Sequence, residues 1–435
     1  MKRKVLSAAL AATLMLSSAV PSFAEELDFK VSPVGMQSSA KPDIRRGSSS
    51  SSLKPKTGKQ KILCIMVNQE NEPFRDWHDE KHYYNQFFGD RNMSVKKYIK
   101  DQSNNKFNIE PANTINTKYP GILKVNLKSS DVPTIGCLDY YKQENFVLST
   151  LKQLKDKIDF NSIDINSDKS FKESFFMDNF DDEEELLIAV IFSGRVDNTT
   201  SREYGRIKVW PHLNQLRGYV NGYNFNNSAI FASEEAGFED TNAAVLSHEF
   251  LHNLHARDMY LDDYSIGKWS IMSYITGANL DPMPLDPLHK IYMGWLTPKR
   301  LDTSNKTLKV KFNKNEIPYI VDPRDNNSVY LLEYKDFSNP VQKSLYCRGI
   351  RKDGLVVWKI NRSELERDWL HDKGYGLDWY LNSRGKRTSV WVMSRGKGTY
   401  VGDTYTTVGS SRSIDGTLFK VDVRNKELVI HNRGV

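Results

Sequence analysis

The chain has 435 residues, which exceeds the length of one ordinary domain. Hydrophobic residues make up 39% and charged residues 26%, proportions that argue against a disordered chain or a membrane channel. The formal charge is +7, but basic and acidic residues are interspersed, so the sequence gives no support for nucleic-acid binding. Only three cysteines are present, so at most one disulfide can form within the chain and the fold depends on a hydrophobic core.

The N-terminus has the three zones of a secretory signal peptide. Lys2 to Lys4 form a charged zone, Val5 to Leu16 an apolar zone, and Ser22-Phe23-Ala24 supplies small residues at the cleavage positions. The apolar zone is too short to span a bilayer comfortably, and no later segment reaches the required length. We therefore predict a signal peptide over residues 1–24 and a secreted protein without stable membrane insertion.

The next segment, residues 25–57, is poor in aromatic residues and contains the serine run Ser48 to Ser52. This composition predicts a propeptide or flexible linker. Residues 58–300 then alternate buried-strand patterns, such as Ile62 to Val67 and Leu186 to Phe192, with helical patterns. Ser94 is the expected cap of one helix, and apolar residues from Val147 to Ile158 predict another. These features predict an α/β domain with a mixed sheet.

Residues 301–435 have a different sequence pattern: helical periodicity largely disappears, and short strand-like runs are separated by turn-forming residues. This pattern predicts a β-rich C-terminal module. The expected strands are Thr307 to Phe312, Val329 to Tyr334, Leu355 to Ile360, Val390 to Met393 and Leu418 to Val423.

The most informative motif is His248-Glu249-Phe250-Leu251-His252, within residues 242–254, which contain few helix breakers. Residues four apart lie one above the other on a helix, so His248 and His252 project from one face and can share a zinc ion. Glu249 is placed to act on water rather than to bind the metal. Zinc lowers the pKa of water to about 7 and polarises a peptide carbonyl, while a carboxylate transfers the proton to the leaving amine. The motif predicts a Zn2+-dependent hydrolase of protein or peptide substrates, with a third ligand to be supplied elsewhere.

Three longer stretches carry a family resemblance: His248 to Tyr260, Trp269 to Tyr274 and Asp286 to Leu296. They resemble, in that order, the zinc motif, the methionine-containing turn and the later helix with its Gly-Trp segment in the immune inhibitor A family of bacterial secreted metallopeptidases. Weaker similarities follow the expected order elsewhere in the chain. They are Ser94 to Ile109, Ile207 to His212 and Gly354 to Asn361.

The resemblance implies a zincin-like catalytic domain with an active-site helix and with Asp258 as the third zinc ligand. For Asp258 to reach the metal, the chain must leave the helix after His252 and turn back. His255 stands at that turn where the family has glycine, although histidine is among the residues that tolerate positive φ. In the alternative, the helix continues and His255 itself binds the metal. His289 is a further alternative ligand, but its position on a later helix is more typical of a paired histidine.

Several other residues are candidates for supporting roles. Met272 is expected to support the site from below, and Tyr260 and Tyr274 could each hold a developing oxyanion. The strand Ala229 to Ala232 could be a sheet edge that receives an extended substrate, or an ordinary sheet strand. The acidic run Asp178 to Glu185 is a weak candidate for calcium, since runs of like charge are usually solvated.

Two other functions remain compatible with the sequence. One is a catalytically silent zinc-binding module for recognition or adhesion, motivated by His255; the presence of Glu249 argues against it. The other is a secreted carbohydrate-binding protein, suggested by aromatic residues that more often pack within a β-rich module. Those residues are Trp369, Tyr375, Trp379 and Tyr380. The sequence favours the peptidase, with His248, His252 and Asp258 as metal ligands and Glu249 as general base.

Overall fold

The structure is a computed structural model, and its described residues begin at Lys56. They are 56–90, 93–136, 139–172, 185–196, 207, 209–236, 239–254, 256, 258–259, 266, 269–275, 282–322, 324–336, 353–363, 365, 390–393, 406–407, 411–414, 419–424 and 427–434. The predicted signal peptide and nearly all of the predicted linker lie outside these residues. So do Cys137, Cys347 and the four aromatic residues between 369 and 380.

An eight-stranded mixed sheet forms the centre of the first 300 residues. Its order is β2-β1-β5-β7-β4, with β3 beside β1 and with β6 and β8 beside β7. Only β6 and β8 are antiparallel to their neighbour. The strands are β1 Gly58–Gln69, β2 Phe107–Pro111, β3 Ile122–Leu127, β4 Ser170–Lys172, β5 Leu186–Val196, β6 His212–Val220, β7 Tyr223–Ala236 and β8 Glu239–Asp240.

Within the described residues six α-helices accompany this sheet, and their ends follow local sequence. They are α1 Glu80–Phe88, α2 Val95–Gln102, α3 Tyr140–Leu154, α4 Phe160–Ile163, α5 Ala243–Asn253 and α6 Pro287–Tyr292. The predicted cap Ser94 accepts a hydrogen bond from Lys97 N, and α2 ends before Asn104 and Asn105, which have φ of 54° and 64°. The predicted helix through Ile158 is shorter than expected, because a 3₁₀ turn follows Leu154.

Alternation along β1 separates two hydrophobic cores. Ile62, Cys64 and Met66 belong to a cluster that also contains the apolar residues of α1, α2 and α5. Leu63, Ile65 and Val67 belong to a second cluster that contains those of α3 and α4. An inner parallel strand must be apolar on both faces, which explains the continuous apolar run that β1 shows in the sequence. Cys64 is a free, buried thiol, in agreement with its interpretation as a small hydrophobic residue.

The suggestion that Ala229 to Ala232 forms a sheet edge is wrong. These residues lie in β7 with β5 on one side and β6 on the other, where Ile230 pairs with Ala189 and with Leu213. Among the described strands, β6 is the one that lies outside Ala229 to Ala232, at the edge of the sheet. Its sequence, HLNQLRGYV, gave too weak an apolar alternation to be predicted as a strand.

Beyond residue 296 the described chain consists mostly of strands, which confirms a mixed α/β protein rich in sheet. A six-stranded sheet has the order β14-β13-β12-β11-β9 with β15 beside β13, and a four-stranded sheet has the order β10-β18-β17-β16. The strands are β9 Thr297–Arg300, β10 Thr307–Lys311, β11 Glu316–Asp322, β12 Asp325–Lys335, β13 Gly354–Asn361, β14 Val390–Val392, β15 Thr406–Thr407, β16 Ser411–Ser413, β17 Phe419–Arg424 and β18 Glu427–Asn432.

The six-stranded sheet lies between two cores. Val329 and Leu331 of β12 belong to the cluster that contains α5, whereas Tyr330 and Leu332 belong to a cluster shared with the four-stranded sheet. Trp358 of β13 is fully buried in the first of these clusters. The predicted boundary at residue 300 stays a prediction, but one continuous core includes residues on both sides of it.

No helix within the described ranges is both long enough and apolar enough to cross a membrane.

We expect Trp358→Ala to lower the free energy of unfolding by about 3–5 kcal/mol, because it removes a large side chain from the shared core. Urea denaturation followed by circular dichroism and by fluorescence checks this value. Trp77→Ala is the matched control, since Trp77 is 62% exposed and its loss should change stability by about 0.5 kcal/mol or less. Two separate transitions, with only one shifted by Trp358→Ala, would contradict a single shared core.

Candidate metal centre

Helix α5 carries the histidines and is enclosed on nearly all sides. It begins at a strong cap, where Asn242 Oδ1 accepts hydrogen bonds from Ala244 N at 2.9 Å and Val245 N at 3.3 Å. A helix with apolar residues around its whole circumference is typical of a buried element. His248 is therefore only 1% exposed, and Glu249 and His252 are each 3% exposed.

The chain reverses directly after this helix, as Asp258 requires. Ala256 N donates to Leu251 O at 2.9 Å, which is the closing bond of a Schellman helix end. Met259 N then donates to Met272 O at 2.7 Å, which fixes the returning segment against a later turn. Asp258 is completely buried beside the helix that precedes it. Residue 255 lies outside the described residues, so its predicted alternative role as a ligand stays untested.

Three potential ligand atoms converge at one point. Nε2 of His248 lies 3.2 Å from Nε2 of His252, and Oδ1 of Asp258 lies 3.2 Å from the first nitrogen and 3.3 Å from the second. Ligands at the corners of a zinc tetrahedron, each about 2.0–2.1 Å from the metal, lie about 3.3 Å from one another. The spacing of these three atoms therefore fits a tetrahedral ion with one position left open.

The orientation of both imidazole rings is fixed by backbone carbonyl groups. Nδ1 of His248 lies 3.1 Å from Ile271 O, and Nδ1 of His252 lies 2.8 Å from Ala256 O. A carbonyl oxygen can only accept, so each Nδ1 carries the proton in these bonds, and each ring presents the lone pair of Nε2 when it is neutral. Two lone pairs 3.2 Å apart repel unless a cation lies between them.

Electrostatics in the metal-free cluster favour the same position for a positive charge. Burial disfavours a charged imidazole, but Asp258 outweighs it and raises the pKa of His252 to about 9. Burial also opposes ionisation of Asp258, but His252 and His248 hold its pKa below the usual range. The carboxylate therefore remains charged in the interior only because the imidazoles, or a cation that they share, compensate it.

Glu249 has a different environment from Asp258. Ligand-capable atoms of His248, Glu249 and His252 lie within 4.8 Å of one another, so its carboxyl group is close to the shared point. Burial raises the pKa of Glu249 above its ordinary value. In the part of the chain that the structure describes, no group hydrogen-bonds its buried Oε2 atom. A carboxylate oxygen of this kind can accept a proton from a water molecule at the metal position.

The predicted methionine-containing turn contacts both parts of the centre. Ile271 O orients His248, and Met272 O holds the segment that carries Asp258. Met272 is fully buried, as expected for a supporting residue. Ser270 donates to Asp286 Oδ2 at 2.7 Å, so the turn is also bonded to the N-cap of α6.

The other predicted residues have separate positions. His289 is buried on α6, where its Nδ1 lies 2.7 Å from Asp286 Oδ2, as expected for a paired histidine. Tyr274 is partly buried and packs against the core around α5, and Tyr260 lies outside the described residues. The carbonyl groups of Ala256 and Ile271, which orient the two histidines, were not among the predicted site residues. No side-chain pattern could reveal them, because backbone groups occur at every position.

Comparisons with known proteins identify no family for this chain. No protein-family model matches it. No curated protein matches it either. Among solved structures, the chain is similar to OgpA from Akkermansia muciniphila in two crystal forms, at 10% and 12% sequence identity. The matches cover 74% of this chain and 94% and 93% of OgpA, with TM-scores of 0.31 and 0.30, and a likeness this weak supports no conclusion about function.

We expect Ser270→Ala to lower the free energy of unfolding by about 1–3 kcal/mol, because it removes a hydrogen bond from the buried Asp286 carboxylate. The same substitution removes the acceptor of Met272 N. Chemical denaturation measures the change. Ser130→Ala is the control, because Ser130 bonds Asp131 at the exposed surface and should contribute no more than about 0.5 kcal/mol. Equal effects of the two substitutions would argue against the role given to Ser270.

Proposed function

We propose that the protein is a secreted zinc-dependent endopeptidase with His248, His252 and Asp258 as its zinc ligands. The observation that carries this proposal is the triangle of two Nε2 atoms and one Oδ1 atom with sides of 3.2–3.3 Å. Two neutral imidazoles and one carboxylate are a common catalytic zinc set, which leaves a fourth position for water or substrate. The family resemblance and the predicted signal peptide support peptide substrates outside the cell.

The residues of the chain account for the remaining chemistry. Zinc, when bound, polarises the scissile carbonyl and lowers the pKa of water to about 7. Glu249 accepts the proton of the attacking water, for which its free Oε2 atom and its raised pKa are suited. The protonated Glu249 then donates this proton to the leaving amine nitrogen. The carbonyl groups of Ile271 and Ala256 keep both imidazoles oriented throughout.

The rival interpretation as a silent zinc-binding module is less well supported. A structural zinc site has four protein ligands and no need for a nearby proton acceptor. Burial of a carboxyl group with an unbonded oxygen costs free energy. That cost has an evident benefit if Glu249 handles a proton, and none if the metal serves only to stabilise the fold.

We expect Glu249→Gln to retain about one zinc per chain and to lose casein hydrolysis by about 10²–10⁴-fold, because an amide cannot accept the proton. Zinc is measured by mass spectrometry on the preparation used for the assay. Glu70→Gln, on the exposed surface, is the control and should keep native activity. Full activity in zinc-loaded Glu249→Gln would refute the mechanism. Bound zinc with no hydrolysis by the native protein on a broad peptide library would favour the silent module.

We expect Asp258→Ala to lose zinc, because it removes one ligand and leaves two neutral imidazoles. His255→Ala should keep about one zinc per chain, because the proposal assigns the third ligand to Asp258 and not to His255. Zinc content after dialysis against a weak chelator distinguishes the two variants. The reverse pattern, with zinc lost only from His255→Ala, would assign the third ligand to His255.

A further inference from the structure

A second group of oxygen-bearing side chains lies in the loop that leads into β4 of the central sheet. Between α4 and β4 the chain reads Asp164-Ile165-Asn166-Ser167-Asp168-Lys169-Ser170. Oxygen-bearing side chains therefore occupy alternate positions, as in the calcium loops of the form D-x-[DN]-x-[DN]-G. The backbone curls as such a loop requires, with φ of 60° at Ser167 and 56° at Lys169.

A carboxylate from outside the loop is directed into it. Glu185 precedes β5 and is 3% exposed, and its Oε1 atom accepts hydrogen bonds from Ile165 N at 2.7 Å and Asn166 N at 3.0 Å. Its Oε2 atom is buried, and none of the residues that the structure describes bonds it. This residue ends the acidic run whose calcium binding the sequence left open, and the remainder of that run lies outside the described residues.

Asp164 also has a buried carboxylate oxygen without a hydrogen bond to any described group. Asp164 is 6% exposed; Oδ2 accepts a hydrogen bond from Lys169 N at 3.1 Å, while Oδ1 has no bond to any described group. Burial, together with repulsion from Asp164 and Asp168, raises the pKa of Glu185 to about 7. Two buried carboxylates with unbonded oxygens at one loop are costly unless a cation compensates them.

We propose that Asp164, Asn166, Asp168 and Glu185 bind a calcium ion, with backbone carbonyl groups and water completing its coordination. The ligand atoms are all oxygens, which suits a hard cation rather than zinc. An irregular loop with several carboxylates suits the six to eight ligands of calcium better than the strict octahedron of magnesium. The proposal is independent of the zinc site.

The ion would join elements that are distant in sequence. Lys169 O accepts a hydrogen bond from Asn224 N at 2.8 Å at the start of β7, and Glu185 O accepts one from Lys61 N at 2.9 Å in β1. The loop also leads into β4, which pairs with β7. Calcium at this point would stabilise the end of the sheet at which β4, β5 and β7 begin. Strand β7 then continues toward β8 and the helix that carries the histidines.

The test is isothermal titration of CaCl2 into the full chain carrying Glu249→Gln, which prevents self-digestion, with MgCl2 titrated separately. We expect saturable calcium binding with Kd between about 10⁻⁵ and 10⁻³ M and weaker magnesium binding. Asp164→Asn and Glu185→Gln should each weaken calcium binding by about tenfold or more, because each removes a ligand charge. Asp156→Asn removes the same charge from the exposed surface nearby and should leave the affinity unchanged.

Thermal unfolding with and without calcium gives a second test of the proposed site. Without calcium, Glu185→Gln should be at least as stable as the parent protein, because it removes a buried charge. Calcium at a fixed concentration well above the Kd of the parent should raise the Tm of the parent more than that of Glu185→Gln, so that the parent becomes the more stable of the two. Lys169→Gly should bind calcium more tightly, because it removes a positive charge next to the proposed ligands and glycine accepts the positive φ of this position. If Asp164→Asn does not fold, Glu185→Gln and Lys169→Gly still decide the question. An absence of saturable calcium binding, or equal affinity in the parent and Glu185→Gln, would overturn the proposal.

Discussion

The buried Asp258 carboxylate between His248 and His252 imposes the strictest constraint on this structure. A charged oxygen with no exposure is tolerated only beside a compensating positive charge, and the two imidazole nitrogens lie 3.2 and 3.3 Å away. The same two nitrogens lie 3.2 Å from each other, a spacing that fits the zinc ion we propose between these three atoms. The helix end after Asn253, the returning segment and the turn at Ser270 are all arranged to hold these three atoms together.

Distant parts of the chain keep this arrangement rigid. On α2, Tyr98 donates to Met283 O and Gln102 accepts from Leu285 N, which fixes the segment that follows the turn. Lys106 donates to the carbonyl groups of Gly294 and Trp295 at the end of α6. These bonds connect stretches that the family resemblance had only placed in order along the chain.

The two proposed cation sites use different chemistry. The proposed zinc ligands are two neutral nitrogens and one carboxylate, held in a dry interior by backbone carbonyl groups. The proposed calcium ligands are oxygens at the loop that precedes β4 and at the start of β5, where Asp164 and Glu185 each have one buried oxygen that no described group bonds. We propose that the first site is catalytic and that the second stabilises the sheet.

The sequence alone determined the features that depend on local order. The spacing of His248 and His252, the Ser94 cap and the apolar run of β1 each follow from the repeat of a helix or strand, so a linear pattern suffices to predict them. Tertiary structure decided the rest. It brought Asp258 against the histidines, placed Ala229 to Ala232 inside the sheet and directed Glu185 into a loop that precedes it in the chain. Such contacts arise where the chain folds back on itself to bury apolar surface and pair backbone groups. The spacing of residues along the sequence does not determine which distant residues come close together in space.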